Sequence, residues 1–252
     1  ILDSSMLVAS VLELNYCRLL LDEPNIENAE GLLSDYDYCF AVFYGVQAPD
    51  IFEKVAKNAC VIDLSRGAEF AFSHFQATTR NQVRRTEKIE GLSFRRGIPG
   101  DFNAYFSFYQ NCEKARGWYP VPEQELHNSL IFTAFFNGQP ISGMSVYAHE
   151  GRMRIGRIFS MKRLAQDAAL NNLVFGCSAR RLVFDICRYG AGEGFHTLDL
   201  GGIDPGDASK SGINMFKQSF GGAVVPVTLA RYRNERFVKA EPLIRQAGYD
   251  IT

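Results

Sequence analysis

The hydrophobic pattern of this chain is clearest in its middle third, where it predicts three strands in succession. The first strand leads into Asn137-Gly138, a dipeptide typical of two-residue β-hairpin turns. A second turn is indicated at Glu150-Gly151. The three strands of this antiparallel meander are predicted at 131–136, 141–148 and 152–161.

Helical periodicity flanks the meander on both sides. Residues 100–116 carry apolar side chains at intervals of three and four, which places them on one face of a helix. A second helix is predicted over 178–190, with Ser178 as its N-cap. A strand at 195–200, a short helix at 212–219 and a strand at 224–231 complete the C-terminal half.

The N-terminal third is harder to interpret. Short apolar runs predict buried strands at 38–45 and 59–64, with a helix at 48–58 between them, a helix at 68–90 and a strand at 92–95. A chain of 252 residues is long for one core and short for two. We therefore expect an N-terminal elaboration (1–75) attached to one large domain (76–252).

Composition narrows the class of protein. The chain is 46% hydrophobic and 22% charged, and its 27 Lys and Arg against 28 Asp and Glu give a formal charge of -1. That balance argues against a wholesale nucleic-acid binder. No apolar run approaches the roughly 18 residues that span a bilayer, and no signal peptide is visible, so a cytoplasmic protein is expected. The six cysteines are scattered without metal-ligand spacing, so no metal is expected.

One segment carries a specific motif. Residues 197–222 read TLDLGGIDPGDASKSGINMFKQSFGG: an Asp before a Gly pair, a loop, and then a Gly-x-x-x-Phe-Lys-x-x-Phe-Gly-Gly block. This segment resembles the hallmark of FemAB-like peptidyltransferases of the GNAT superfamily. Residues 79–96 are similar to the basic helix that precedes the domain in that family, and the likeness covers about residues 60–230. The motif positions are Asp199, Gly201, Gly202, Gly212, Phe216, Lys217, Phe220, Gly221 and Gly222.

The order of predicted elements (helix, three-strand meander, helix, strand, helix, strand) is also that of a GNAT core. The resemblance implies an α/β (α+β) fold with a mixed, splayed central sheet flanked by helices. In such folds the sheet opens between its fourth and fifth strands, and the acyl arm of the donor enters the gap. Residues 1–75 would then be a remnant of a second GNAT-like subdomain.

The resemblance further implies transfer of an acyl group to a primary amine of a cell-envelope precursor, such as an amino sugar or peptide. Family members that build peptidoglycan bridges often carry a helical arm for tRNA, which this chain lacks; it also lacks the usual acyl-CoA loop. Acyl-CoA is our first choice of donor, because the arm is absent and the net charge is near zero. Aminoacyl-tRNA is the second choice.

The motif supplies the catalytic candidates. An ammonium at Lys217 could stabilise the oxyanion of a tetrahedral intermediate or bind a phosphate; the alternative is a surface lysine beside core phenylalanines. Asp199 could accept a proton from the amine or orient it; the alternative is a cap for the backbone of the Gly201-Gly202 turn. The two glycines allow close approach of a donor, or simply a tight turn.

Basic side chains supply candidates for binding. Arg80, Arg84 and Lys88 fall at four-residue intervals, a stripe that could bind a nucleotide-linked sugar, CoA or tRNA, or that is simply a solvated helix face. Arg180 and Arg181, with Ser178 at the predicted helix start, could bind the pyrophosphate of a donor. The alternative for this pair is two solvent-facing arginines.

Two aromatic residues are assigned to the substrate pocket: Trp118, after Gly117, and Phe216, beside Lys217. The plainer interpretation of both is that they cover the core. Two other classes of function also stay open: a non-catalytic GNAT-like binding module, and a nucleic-acid-binding protein that uses the basic helix. An open crevice beside Asp199 and Lys217 would favour an enzyme, whereas a crevice filled by side chains would favour a binding module.

Overall fold

The computed structural model describes residues 6–22, 31, 33–97, 100–161, 174–204 and 206–251. Within these ranges the strands are β1 (Leu7–Val11), β2 (Leu14–Leu21), β3 (Tyr38–Tyr44), β4 (Glu53–Asp63), β5 (Leu92–Arg96), β6 (Leu130–Phe136), β7 (Gln139–His149), β8 (Arg152–Ser160), β9 (Thr197–Ile203) and β10 (Ala223–Arg233). The helices are α1 (Ala68–His74), α2 (Ala77–Arg85), α3 (Phe102–Ala115), α4 (Glu123–Asn128), α5 (Gly176–Gly192), α6 (Ser211–Gln218) and α7 (Glu235–Gln246). Short 3-10 turns lie at Leu33–Asp35, Thr86–Lys88 and Ala208–Lys210.

The strands form one mixed sheet in the order β1-β2-β3-β10-β4-β9-β8-β7-β6-β5. The pairs β2–β3 and β8–β9 are parallel, and the other neighbouring strands are antiparallel. The predicted α/β class, with a mixed sheet flanked by helices, is confirmed. Strand β10 lies between β3 and β4, so strands from both predicted segments alternate in one sheet, and the boundary at residue 75 stays a prediction.

The meander is confirmed as β6, β7 and β8, and its turns have the predicted backbone. Asn137 and Gly138 have φ of 50° and 79°, and Glu150 and Gly151 have φ of 43° and 80°. Two consecutive residues with positive φ are the mark of the hairpin turn whose twist matches that of the flanking strands. Local turn chemistry therefore fixes this part of the fold.

Hydrophobic clusters cover both faces of the sheet. Neighbouring residues of β6 show the division: Phe132 belongs to the cluster under α1, α2 and α5, whereas Ile131 packs with α3 and α4. This follows from the alternation of side chains along a strand. In the N-terminal part of the sheet, Tyr38 of β3 stacks on Phe237 of α7, with 4.7 Å between ring centroids.

Both edges of the sheet are protected against further strand pairing. Helix α4 covers β1: the Ser10 backbone N–H donates to Gln124 Oε1 at 2.6 Å, and Asn128 Nδ2 donates to the Val8 carbonyl at 2.8 Å. At the other edge, β5 carries the exposed side chains of Arg95 and Arg96.

Two of the sequence predictions need correction. The helix predicted at 48–58 is wrong, because β4 already begins at Glu53 and pairs with both β10 and β9. The helix predicted at 68–90 is divided into α1, α2 and a 3-10 turn, since the backbone is extended at Phe75 and Gln76. The sequence analysis also missed the β1–β2 hairpin, α4 and α7.

Gly221 of the motif allows α1 to pack close to the end of α6. Gly221 has φ of 66°, and a Cβ atom at this position would lie 2.1 Å from the carbonyl oxygen of His74. The Gln76 backbone N–H donates to the Ser219 carbonyl at 2.9 Å in the same corner. Gly221 therefore permits a backbone contact that a larger residue would prevent.

Replacing Gly221 with alanine should lower the free energy of unfolding by about 2 to 4 kcal/mol, because positive φ is unfavourable for alanine and the His74 backbone must move. Gly212→Ala is the matched control, since Gly212 lies in α6 and a Cβ atom added there would meet nothing within 4 Å. We expect it to be neutral or stabilising by up to about 1 kcal/mol. Urea unfolding measures both, and equal effects would contradict this account of the corner.

Candidate active site

A gap opens in the sheet where β8 and β9 part. Their parallel pairing covers three registers and ends with Arg154 opposite Asp199, although β8 runs on to Ser160 and β9 to Ile203. Bulges disturb both strands at this point. In β8, Gly156 is an extra residue relative to β7, and in β9 the register to β4 shifts just beyond Asp199. Because a bulge bends its strand, the two strands separate.

The gap forms a cavity of about 320 Å³, which we call the crevice. Its wall combines β8 and β9 with β2, β3, β7, α4, α6 and the segment between α3 and α4. It is open and Lys217 lines it, whereas Asp199 lies behind the wall, in contact with Arg154 and Gly201. The ionisable side chains on its wall, apart from Tyr147, are Arg18, Arg116, Glu125, Arg154, Arg157 and Lys217.

Asp199 lies at the closed end of the crevice and is only 1% exposed. The Tyr44 hydroxyl donates to its Oδ2 at 2.6 Å, the Arg154 guanidinium forms an ion pair with the same oxygen, and the Gly201 N–H donates to Oδ1 at 2.6 Å. Burial and the nearby Asp199 charge raise the pKa of Tyr44 well above its usual value. The capping contact to the glycine turn, our alternative for Asp199, is therefore present, together with two further donors.

Lys217 enters the crevice from α6. Phe216 and Phe220 pack edge to face in the core on either side of it, and this contact fixes the helix. Lys217 is 9% exposed as a residue, and its ammonium donates to the Gly202 carbonyl at 2.5 Å. Burial lowers its pKa, the Arg154 charge adds to that effect, and the Asp199 charge opposes it. The motif residues Asp199, Gly201, Gly202 and Lys217 thus meet at one place, as predicted.

Lys217 differs from the other cations on the crevice wall. It forms no ion pair with a carboxylate among the described residues. An ammonium has three N–H donors, and the Gly202 carbonyl accepts one, so two remain for a ligand. Gly201 leaves room for this, with φ of 86° and a Cβ position only 3.4 Å from Lys217 Nζ.

The arginines of the crevice are instead paired with carboxylates. Arg18 binds Glu125 through two contacts of 2.9 and 3.0 Å, and the Tyr16 hydroxyl donates to the same carboxylate at 2.8 Å. Such a buried, bidentate pair fixes the orientation of both side chains. The other two pairs are Arg157–Asp250 at 2.7 Å and Arg116–Glu113 at 3.3 Å.

Trp118 also borders the crevice, and its role in binding substrate stays a prediction. Its side chain is 51% exposed, and the Arg116 guanidinium lies 3.7 Å from its ring centroid. Phe216 packs behind Lys217 and does not line the cavity.

The predicted basic stripe lies away from the crevice wall. Arg80 donates to the Ser73 carbonyl at 3.1 Å and also to the Phe75 carbonyl, so it caps the end of α1. Arg84 stacks on Phe72 at 5.5 Å, and Lys88 ends the 3-10 turn after α2. Their role in substrate binding stays a prediction.

The predicted donor site at the start of α5 also needs a correction. Ser178 lies inside the helix and is fully buried, while the N-cap position is occupied by Phe175, so the predicted Ser178 cap is wrong. Arg180 donates to the Gly176 carbonyl at 3.1 Å. Arg181 forms ion pairs with Asp185 at 2.9 Å and Glu87 at 3.2 Å. None of the three predicted residues lines the crevice.

Several crevice residues were not predicted as site residues. The sequence could have pointed to Arg154 and Arg157, since each interrupts the apolar pattern of β8. Arg18 likewise interrupts β2. It could not have pointed to Glu125 and Tyr44, because their partners are more than 100 residues away in the chain.

Two further observations concern the described ranges as a whole. None of their helices combines the length and hydropathy needed to cross a bilayer. Nor do they contain three or more His, Cys, Asp or Glu side chains grouped so as to hold a metal ion.

Comparison with known proteins gives structural matches only. No protein-family model matches the sequence, and no curated protein matches it. The chain is similar to the C-terminal domain of a protein assigned as a lysylphosphatidylglycerol synthetase from Agrobacterium fabrum (TM-score 0.54, 14% identity, 94% of this chain and 83% of that one). It is also similar to L-PGS from Bacillus licheniformis (0.51, 14%, 96% and 84%) and to FemX (0.55, 11%, 96% and 85%). At these identities the likeness establishes a shared fold only.

Proposed function

We propose that this chain is an acyltransferase that moves an acyl group from an activated donor to a primary amine within the crevice. The observation that carries the proposal is the position of Lys217, a buried cation without a carboxylate partner among the described residues, at the point where the sheet opens. A preorganised ammonium in such a site can stabilise developing oxyanion charge. The open crevice also favours this proposal over a non-catalytic binding module.

The reaction would proceed by direct attack in a ternary complex. The amine nitrogen forms a bond to the donor carbonyl carbon, and the carbonyl oxygen takes up negative charge beside Lys217. Collapse of this intermediate expels the leaving group of the donor, and the proton of the amine passes to that group or to water. Among the described residues that border the crevice, none is a serine, cysteine or histidine, which argues against a covalent enzyme intermediate.

Asp199 has a positioning role in this mechanism. Its carboxylate is buried and already accepts three hydrogen bonds or ion-pair contacts, so it is poorly placed to take a proton from the amine. It holds Arg154 at the last paired register of β8 and β9. We therefore assign Asp199 to fixing the closed end of the crevice, and Lys217 to the reaction itself.

Acyl-CoA stays our first choice of donor, with a cytoplasmic enzyme acting on a cell-envelope amine such as an amino sugar or peptide. The small volume of the crevice, about 320 Å³, suits a short acyl group. Aminoacyl-tRNA is the second candidate. It is favoured by the fold shared with a lysylphosphatidylglycerol synthetase, whose name denotes joining of a lysyl group to a lipid, and by the FemAB-like motif around Asp199 and Lys217.

Titration of the protein with acetyl-CoA, longer acyl-CoAs and aminoacyl-tRNA tests the donor. A true donor at 100 times its Kd should stabilise the fold by about 2.7 kcal/mol, seen as a rise in Tm. We expect this from acyl-CoA, accompanied by acyl transfer to a primary amine. Stabilisation by aminoacyl-tRNA alone would replace our choice of donor, and absence of transfer from every donor would reject the acyltransferase proposal.

Lys217→Ala should lower kcat by about 100-fold or more, because it removes the donor to the oxyanion. Lys210→Ala is a suitable control, since Lys210 is an exposed lysine just before α6 that pairs with Asp207. We expect near-normal turnover from the control. The kcat of each variant is measured by steady-state kinetics with the donor identified above. A normal kcat for Lys217→Ala would remove this residue from the mechanism.

Asp199→Asn should lower the free energy of unfolding by about 3 to 5 kcal/mol, because the Arg154 charge is left buried without its counter-ion. Asp207→Asn, at a partly exposed loop carboxylate paired with Lys210, should change it by less than about 1 kcal/mol. Denaturant unfolding gives both values, and kcat is measured at low temperature where Asp199→Asn stays folded. Loss of turnover with wild-type stability would instead indicate that Asp199 is the base.

A further inference from the structure

A second cavity lies at the far edge of the sheet, between β5 and α5. Its volume is about 460 Å³, within the range of small-molecule sites. The aromatic rings of Phe94, Phe132 and Tyr189 form part of its wall. Four arginines also border it, from two different elements: Arg95 and Arg96 on β5, and Arg181 and Arg188 on α5.

The ion pairs around this cavity are unevenly distributed among its arginines. Arg181 pairs with both Asp185 and Glu87, so two carboxylates are directed to one guanidinium. Arg95, Arg96 and Arg188 form no ion pair within the part of the chain that the structure describes. Arg188 does lie near enough to Asp185 to help lower the pKa of that carboxyl against the raising effect of burial. Three of the four guanidinium groups on the wall therefore have no carboxylate partner among the described residues, whereas Arg181 has two.

Stacking limits the freedom of the unpaired guanidinium groups. Arg96 lies over the Tyr189 ring of the cavity wall, 4.6 Å from its centroid, whereas Arg95 lies over Phe135, which belongs to the wall of a different cavity. A guanidinium that is stacked on a ring keeps its N–H edge available, and its fork matches phosphate oxygens. Arg96 on β5 and Arg188 on α5 thus place guanidinium groups on two sides of the cavity, while Asp185 and Glu87 are directed to Arg181.

We infer that this cavity is a binding site for the phosphates of a nucleoside diphosphate, separate from the crevice and independent of acyl transfer. A small ligand fits better than a nucleic acid. A long polyanion would need a continuous row of free cations leading away from the cavity. That row is interrupted, because Arg80 donates to a carbonyl at the end of α1 and Arg181 is paired with Glu87. The formal charge of -1 also argues against a broad positive face.

Calorimetric titration with ADP at low salt tests the inference. Arg96→Gln and Arg188→Gln should each raise the Kd for ADP by about tenfold or more, the effect expected when a charge-assisted hydrogen bond is lost. Arg66→Gln is the matched control, since Arg66 is an exposed arginine stacked on Phe70 at 3.7 Å, outside the cavity wall. It should leave the Kd unchanged, and the Tm of each variant without ADP verifies folding.

Further binding measurements distinguish this site from the crevice. Lys217→Ala should bind ADP as the unchanged protein does, and inorganic pyrophosphate should compete with ADP. Loss of ADP binding in Lys217→Ala but not in Arg96→Gln would place ADP in the crevice and overturn the inference while leaving the proposed function intact. The inference is also overturned if ADP does not bind at millimolar concentration, or if the arginine variants lose binding to a short RNA but not to ADP.

Discussion

The ion pair between Arg154 and Asp199 joins two strands at the last register before they separate. Both groups are almost fully buried, and isolated charges there would be costly, so each needs the other. Tyr44 and the Gly201 backbone supply the remaining donors to the carboxylate. Beyond this point the bulges in β8 and β9 drive the strands apart, and the ion pair sets where the gap begins.

The same pair also acts on Lys217. Burial is the main reason that the pKa of the ammonium is lowered, the Arg154 charge adds to that effect, and the Asp199 charge opposes it. The other arginines of the crevice are each held by a carboxylate, so their charges are largely neutralised within the protein. The charge that the crevice can offer to an incoming oxyanion therefore resides mainly on Lys217, although several cations line its wall.

Local chemistry explains which parts of this structure could be predicted. The turns at Asn137-Gly138 and Glu150-Gly151 need only two residues of suitable type, so the sequence determines them directly. The strand predicted at 59–64 is the second half of β4, but its first half, residues 53–58, could not be found in this way, because its pairing with β10 joins residues more than 160 positions apart and overrides the local pattern. The β1–β2 turn could not be recognised from the sequence, because Leu12 and Glu13 adopt positive φ in place of glycine or asparagine.

The same limit applies to the basic residues. Their spacing in the sequence predicts one stripe, but whether a cation is available depends on carboxylates and carbonyls that other elements bring to it. Arg80 is satisfied by the end of α1, and Arg181 by Asp185 and Glu87, whereas Arg96 lies over the Tyr189 ring without a carboxylate among the described residues. A count of positive residues therefore says little about anion binding; the distribution of their counter-charges decides which surface can accept a ligand.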